Sequence, residues 1–249
     1  MLDHRARADG GRLRRLRALR LPAVSVAVMA GVAACHGFSG GSASGSPPPT
    51  ARNDAVSSQY SAAQLRSALL TSAAGATEAT TPEAGHYGSL PGVEDTKAAL
   101  TGVTITPARC ARAATTGLDS AAFNNAPAAV TSFRRGQRGI SEVLLAPPAT
   151  VAPEALGHRI PAGCAHYRAV AGGRTFNYTV KDEPAPALGL GAREIRVHAS
   201  GAASTDIWTV IYRTSGYVGA VTLMGAGTTS KQAQEITHEA YVRAEQTLH

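Results

Sequence analysis

Lysine is almost missing from this 249-residue chain, occurring only at Lys97, Lys181 and Lys231. Charge of either sign is sparse, at 16% of residues, and aromatics make up 5% with a single tryptophan, Trp208. The formal net charge of +7 is therefore carried by arginine, and its location decides what it means. Residues 1–34 hold seven Arg against Asp3 and Asp9, a net of +5, which leaves +2 for everything after them. The body shows no Lys/Arg cluster with interleaved aromatics to follow a phosphate backbone, so a nucleic-acid partner is excluded. A long apolar run is missing too. The leader's stretch Ala23–Ala34, AVSVAVMAGVAA, would extend roughly 18 Å as a helix against a hydrocarbon core of about 30 Å.

Familiar catalytic spacings are also wanting. His238-Glu239 opens an H-E pair, but the position that a zinc protease fills with its second histidine is Val242. In Gly225-Ala-Gly-Thr-Thr-Ser-Lys231, Ser230 stands where a phosphate-binding loop needs glycine before its lysine. Asn177-Tyr178-Thr179 spells a glycosylation sequon by letter alone. The eight histidines show no metal-ligand spacing, and the sparse carboxylates form no recognisable active-site pair. Gly37-Phe38-Ser39-Gly40-Gly41 matches the nucleophile elbow G-x-S-x-G. An elbow needs a strand before its serine and a helix after it. Ser39 is followed instead by GSASGSPPPTARND, a composition unable to bury a core. No catalytic residue, metal ligand or cofactor site is therefore assigned.

What is present at the start of the chain is an export signal. An Arg-rich segment, an apolar segment and the small residues Val32-Ala33-Ala34 precede Cys35 in the order expected of a leader. The spacing is that of a bacterial lipobox, and it predicts that the Cys35 thiol accepts a diacylglyceryl group. Two or three acyl chains, palmitate among them, hold a protein at a membrane far more firmly than one. The competing reading is an ordinary secretory signal with Cys35 unmodified. Arg14-Arg15 leaves a twin-arginine export route open. The predicted organisation is a signal peptide over 1–34, a flexible tether over 35–59 and one folded body over 60–249.

The body reads as α+β, an antiparallel sheet packed against helices that include a long C-terminal one. Ser61 and Gln64 have capping-box spacing, with Tyr60 and Leu65 spaced as a hydrophobic staple, so a helix is expected over Ala62–Leu70. Thr71–Gly92 is poor in large apolar residues and reads as a long loop. Val103–Thr106 is β-branched and precedes Pro107, which is placed to open a short helix containing Cys110. Period-two alternation then predicts hairpins from Ala129–Arg134 with Ile140–Leu145 and from Tyr167–Val170 with Phe176–Val180. A further strand is expected around Ile195 and Val197, and a third hairpin from Ile207–Arg213 with Tyr217–Met224. Thr229 and Gln232 repeat the capping spacing before a stripe of Ala233, Ile236, Ala240, Ala244 and Leu248. Strands grouped between helices and joined by tight turns give this architecture.

Both faces of the Trp208 strand are apolar, which predicts core packing in preference to a ligand platform, with a groove on the second face as the other use. With Cys35 assigned to lipid, Cys110 and Cys164 remain as an even pair. In an oxidising compartment they are expected to bond, two free buried thiols being the alternative.

Several segments in order and spacing resemble the extracellular sensor-like domain of actinobacterial receptor Ser/Thr kinases and their lipoprotein relatives. They are Cys164-Ala-His-Tyr, FNYTV, the Gly189 loop, IWTVIYRTSGYVGAVTL and KQAQEITHEAYVRAEQTL, within a likeness running from about Leu65 to Leu248. The resemblance implies a sheet-and-helix sandwich with a ligand-binding cleft. That family's domain typically carries two disulfides, of which this sequence can form one. It has no agreed catalytic site, so no functional residue transfers. The expectation is a non-enzymatic, lipid-anchored protein on the extracytoplasmic face of the cell membrane. Its other partner would be a small-molecule, lipid or envelope-protein ligand. The alternatives are an exported cell-envelope hydrolase with a dispersed active site, or an accessory subunit presenting the second sheet face to an envelope complex.

Overall fold

The computed structural model describes residues 59–73, 75–201 and 204–248. Among them, nine strands form one antiparallel sheet, as the α+β reading anticipates. In chain order these are β1 (Thr77–His86), β2 (Val103–Thr106), β3 (Pro127–Arg135), β4 (Arg138–Leu145), β5 (His166–Ala171), β6 (Arg174–Glu183), β7 (Gly191–Gly201), β8 (Thr205–Arg213) and β9 (Val218–Gly225). The helices are α1 (Ala62–Ala68), α2 (Pro91–Thr101), α3 (Glu154–Gly157) and α4 (Ser230–Leu248). The spatial order is β1-β3-β4-β9-β8-β7-β6-β5-β2, so the edges are β1 and β2.

All three expected hairpins form. The pair β3 and β4 aligns Phe133 with Ile140, β5 and β6 align Tyr167 with Tyr178, and β8 and β9 align Val210 with Val221. Both capping boxes are present. Ser61 N–H donates to Gln64 Oε1 at 2.9 Å and Thr229 N–H to Gln232 Oε1 at 3.1 Å, each answered by the side chain of the capping residue. Helix α1 ends at Ala68, two residues short of the expected Leu70.

The stretch 71–92 corrects the sequence reading, since it contains β1 and the start of α2 instead of a long loop. Its physical disguise is exposure: most of β1 is exposed and no residue of α2 is fully buried, so neither carries a hydrophobic period to read. Val103–Thr106 forms β2, and the short helix containing Cys110 is a 3-10 turn over Ala108–Cys110.

Alternation along the strands sorts the side chains onto two faces. Ala129, Phe133, Ile140, Leu144, Trp208, Val210, Tyr212, Val221 and Leu223 lie under α1 and α4, with the stripe Ala233, Ile236, Ala240 and Ala244 packed onto them. Trp208 is core, as expected, 7% exposed with Nε1–H donating to Thr228 O at 3.1 Å. Tyr60, Tyr212, Tyr217 and Tyr241 meet edge to face, Tyr212 touching both Tyr217 and Tyr241. A side chain at Gly219 would run into the Tyr212 ring, so glycine there is what lets the ring lie flat against β9.

Two acids are buried on this face. Glu142 Oε2 accepts from Leu70 N–H at 2.7 Å, while Arg243 donates from α4 to the carbonyls of Leu69 and Ser67. The end of α1 is thereby tied to both β4 and α4. Glu194 accepts from Gln234, which also donates to Pro184 O at 3.1 Å. Burial raises the Glu142 pKa from 4.5 to about 7, with Glu239 adding to the rise and the Leu70 N–H and Arg243 opposing it.

The other face carries Ile195, Val197, Ile207 and Ile211, covered by the connections that contain Phe123, Leu118 and Ala155. Cys110 and Cys164 are bonded within this layer, both fully buried with Cα atoms 5.3 Å apart. The expected pairing is found.

Two measurements follow from this packing. Opening the disulfide by Cys110→Ser with Cys164→Ser should lower unfolding free energy by about 4 kcal/mol, the loop-closure value for this separation, in denaturant titrations. A loss below about 1 kcal/mol would show the bond to be dispensable. Glu142 holds its proton more tightly folded than unfolded, so its stabilising contribution is complete below about pH 4.5 and gone above about pH 7. Over that window the wild type should lose about 3 kcal/mol that Glu142→Gln does not lose. Parallel stability–pH curves for the two proteins would refute it.

Candidate functional site

On the face away from α1 and α4, the sheet is not evenly covered. The floor made by β3, β4 and β9 presents Val130, Ser132, Ser141, Val143, Ala220 and Thr222, mostly small or hydroxyl-bearing residues. On β7 and β8 the same face presents Ile195, Val197, Ile207 and Ile211, which fill the layer above them. Small side chains under a helix leave space. A cavity of about 400 Å³ lies between this floor, β1, α2 and the connection 116–124. That size falls within the range of about 300–1,000 Å³ usual for small-molecule sites.

The roof is held in place by polar ties. Glu83 of β1 accepts from Gly92 N–H at 3.0 Å, supplying an acceptor to the first turn of α2, where Pro91 needs none. Lys97 Nζ donates to Gly88 O at 3.4 Å, and Thr96 Oγ1 to Gly92 O at 2.7 Å. The turn Tyr87–Ser89 is fixed by Tyr87 N–H to Ala126 O at 3.0 Å and Gly88 N–H to Asn124 O at 2.9 Å. Thr80 and Ser132 share a hydroxyl hydrogen bond of 2.8 Å across β1 and β3, and Thr209 and Thr222 share one of 3.0 Å across β8 and β9.

Asp119 stands out within the lining. Its side chain is 6% exposed, Oδ2 is 3.8 Å from the guanidinium of the well-exposed Arg112, and Oδ1 has no hydrogen-bond partner. Burial, with Asp119 adding to it, pushes the Tyr87 hydroxyl up to about 12, so Tyr87 stays protonated at neutral pH. The lining contains no histidine and no cysteine, so Ser132 and Ser141 have no imidazole to activate them, and Lys97 is engaged with the backbone. The arrangement can enclose a small apolar molecule and present hydroxyls and carboxylates to it.

A second polar cluster sits on the helix face. Asp206 Oδ1 accepts from Arg196 Nη2 at 2.9 Å and contacts His198 Nδ1 at 3.0 Å. Burial works against ionisation of Asp206, but the hydrogen bonds from Arg196 and His198 outweigh it and hold the carboxyl below its ordinary value. Arg196 lies 4.9 Å from the Trp208 ring centre, so the cluster clamps the rim of that core. No nucleophile takes part in it.

The residues singled out in the sequence scatter. Cys35 and Ser39 lie outside the described residues. His238 and Glu239 are on exposed surface of α4, and among the described residues no three metal-ligating side chains gather. His158 bridges Thr115 Oγ1 at 3.2 Å and Arg112 O at 3.1 Å, tying α3 to the loop that carries Asp119. Asp182 Oδ1 accepts from Arg193 Nε at 2.7 Å. Glu83, Tyr87, Lys97 and Asp119 were given no role in the sequence reading, and the first two fall in the stretch Thr71–Gly92 that read as a long loop. Among the described residues no helix is long and apolar enough to cross a membrane.

No family model matches the sequence, and no curated protein matches it. Among solved structures the chain is similar to the extracellular domain of PknH from Mycobacterium tuberculosis. The identity is 14% and the TM-score 0.53, over 75% of this chain and 97% of that domain. A putative uncharacterized protein from Mycobacterium smegmatis is similar at 12% identity and a TM-score of 0.37, over 57% of this chain and 76% of that one. The expected likeness to a kinase extracellular domain is thus found at the level of fold. At this identity it supplies the fold alone.

The tie between β1 and α2 is measurable. Glu83→Ala removes the acceptor of Gly92 N–H and should lower stability by about 1 kcal/mol, as loss of a helix cap does. A change within about 0.2 kcal/mol in chemical denaturation would mean the tie holds nothing.

Proposed function

We propose that this chain is a lipid-anchored ligand-binding or sensor-like protein on the extracytoplasmic face of the cell membrane, and not an enzyme. The observation that carries the reading is the cavity under α2, its floor mixing apolar and hydroxyl-bearing residues, rimmed by a few convergent polar groups and lacking a nucleophile–base pair. Export is supported by the buried Cys110–Cys164 bond, which suits an oxidising compartment, and by the leader read from the sequence. The fold shared with an extracellular kinase domain is consistent with the same side of the membrane. Residues 1–34 would be removed, Cys35 would carry the lipid, and 35–59 would tether the body formed by 60–249. A tether of that composition gives the body reach without fixing its orientation.

Two experiments test the two halves of this proposal. Cells fed an alkyne fatty acid should label the wild type and not Cys35→Ala, and the variant should leave the membrane fraction or accumulate unprocessed. Equal labelling of both would sink the anchor. For the ligand, the full chain purified from its membrane should yield a bound small molecule on solvent extraction and mass spectrometry. Ser141→Phe, which places a ring in the cavity, should yield none. The same molecule recovered equally from both proteins would place it elsewhere and contradict the cavity as its site.

A further inference from the structure

The chemistry of the cavity narrows what it would hold. Resting on the ligand-binding reading above, we propose that it selects an amphiphile whose head donates hydrogen bonds and carries no negative charge, an alkyl ammonium being the simplest such molecule. The head sits at Asp119 and the apolar chain lies over Val130, Val143 and Ala220, beneath α2.

Three features point to this occupant. The first is the unsatisfied Asp119 Oδ1, an acceptor with no donor in a side chain that is 6% exposed. A buried acceptor left alone costs free energy, and a donor from a ligand removes that cost. Asp119 lines the cavity, and because the terminal torsion of an aspartate is broad and roughly two-fold, rotating it is the move that would present this oxygen to the space. The second is the sign of the lining: Glu83, Asp95 and Asp119 outnumber Lys97, which already donates to Gly88 O, and Arg112, which lies 3.8 Å from the other Asp119 oxygen. An anionic head would meet an excess of carboxylates over cations, and such repulsion discriminates as attraction does. The third is placement: Asp119 and the apolar residues Val130, Val143 and Ala220 line the same cavity of about 400 Å³. The apolar residues of β3, β4 and β9 then account for the rest of the molecule.

The test uses the full chain in phosphatidylcholine nanodiscs with two photoreactive probes. These are dodecylamine and dodecanoic acid, each carrying a diazirine on its chain, with labelling normalised to incorporation into the bilayer lipid. Mapping labelled peptides by mass spectrometry should place the amine on α2, β3 and β4, with the carboxylate at least about tenfold weaker there, the factor set by one charge-assisted hydrogen bond. Asp119→Asn should reduce the amine signal by a similar factor, and Ser141→Phe should remove the cavity signal of either probe. Equal labelling of the cavity by both probes would overturn the head-group selection while leaving the cavity a ligand site. Labelling of neither would overturn the ligand-binding reading as well. Undiminished amine labelling of a folded Asp119→Asn would remove Asp119 from its role. The amine-to-carboxylate ratio on the wild type requires no substitution, so the selection stays testable even where a variant fails to fold.

Discussion

Strand β8 carries Ile207, Thr209 and Ile211 on one side and Trp208, Val210 and Tyr212 on the other, and all six are buried. A strand of that kind has to be covered on both faces at once, and it sits near the middle of a single nine-stranded sheet. The chain meets this requirement asymmetrically. One face is closed by two helices whose small-residue stripe and capping boxes let α4 lie close against Val210, Val221 and Leu223. Among the described residues the opposite face has no helix longer than α2. It is closed over β5–β8 by irregular connections held by the Cys110–Cys164 bond, and over β3, β4 and β9 by α2 with the connection 116–124. The cavity lies where this second layer thins.

The helix face shows what close coverage costs. Glu142 and Glu194 are fully buried, and each has one carboxylate oxygen without a partner. Their other oxygens hold the end of α1 and the first turns of α4 in place. Buried acids are poor sources of stability but good at fixing which backbone group meets which. Among the described residues the comparable acid on the cavity face is Asp119, which shares with them the unpartnered oxygen but lines the cavity. The same physical motif is an internal tie in one layer and, in the proposal above, the receptor for a ligand head in the other. The likeness in fold to an extracellular kinase domain does not by itself decide this, because a shared fold can host unrelated sites.

The sheet was legible in the sequence wherever local chemistry and burial agreed. Arg135–Arg138 and Thr214–Tyr217 bracket tight turns between alternating strands, so β3, β4, β8 and β9 announced themselves, as did α4 through Thr229 and Gln232. Cys110 and Cys164 were paired by counting, which needs no geometry. The candidate site was nearly illegible for a related reason. Strand β1 is an edge with mostly exposed residues, and α2 turns no fully buried side chain inward, so the two elements that wall the cavity have no periodic pattern. Asp119 lies in an irregular connection, and its neighbours Tyr87 and Arg112 are brought near it by folding. Its role is a product of tertiary packing and left no local signal.

If the second layer is thin where the cavity lies, α2 should open far more readily than the strands beneath it, because local opening is cheapest where few apolar groups are buried. Hydrogen exchange of the full chain, read by mass spectrometry, measures this directly. The account predicts that amides of Pro91–Thr101 exchange orders of magnitude faster than those of β8 and β9, and that they slow when the solvent extract of the native membrane is added back. Protection in α2 equal to that of β8 and β9, unchanged by the extract, would mean the roof is part of the core and the cavity is not a site that opens to a ligand.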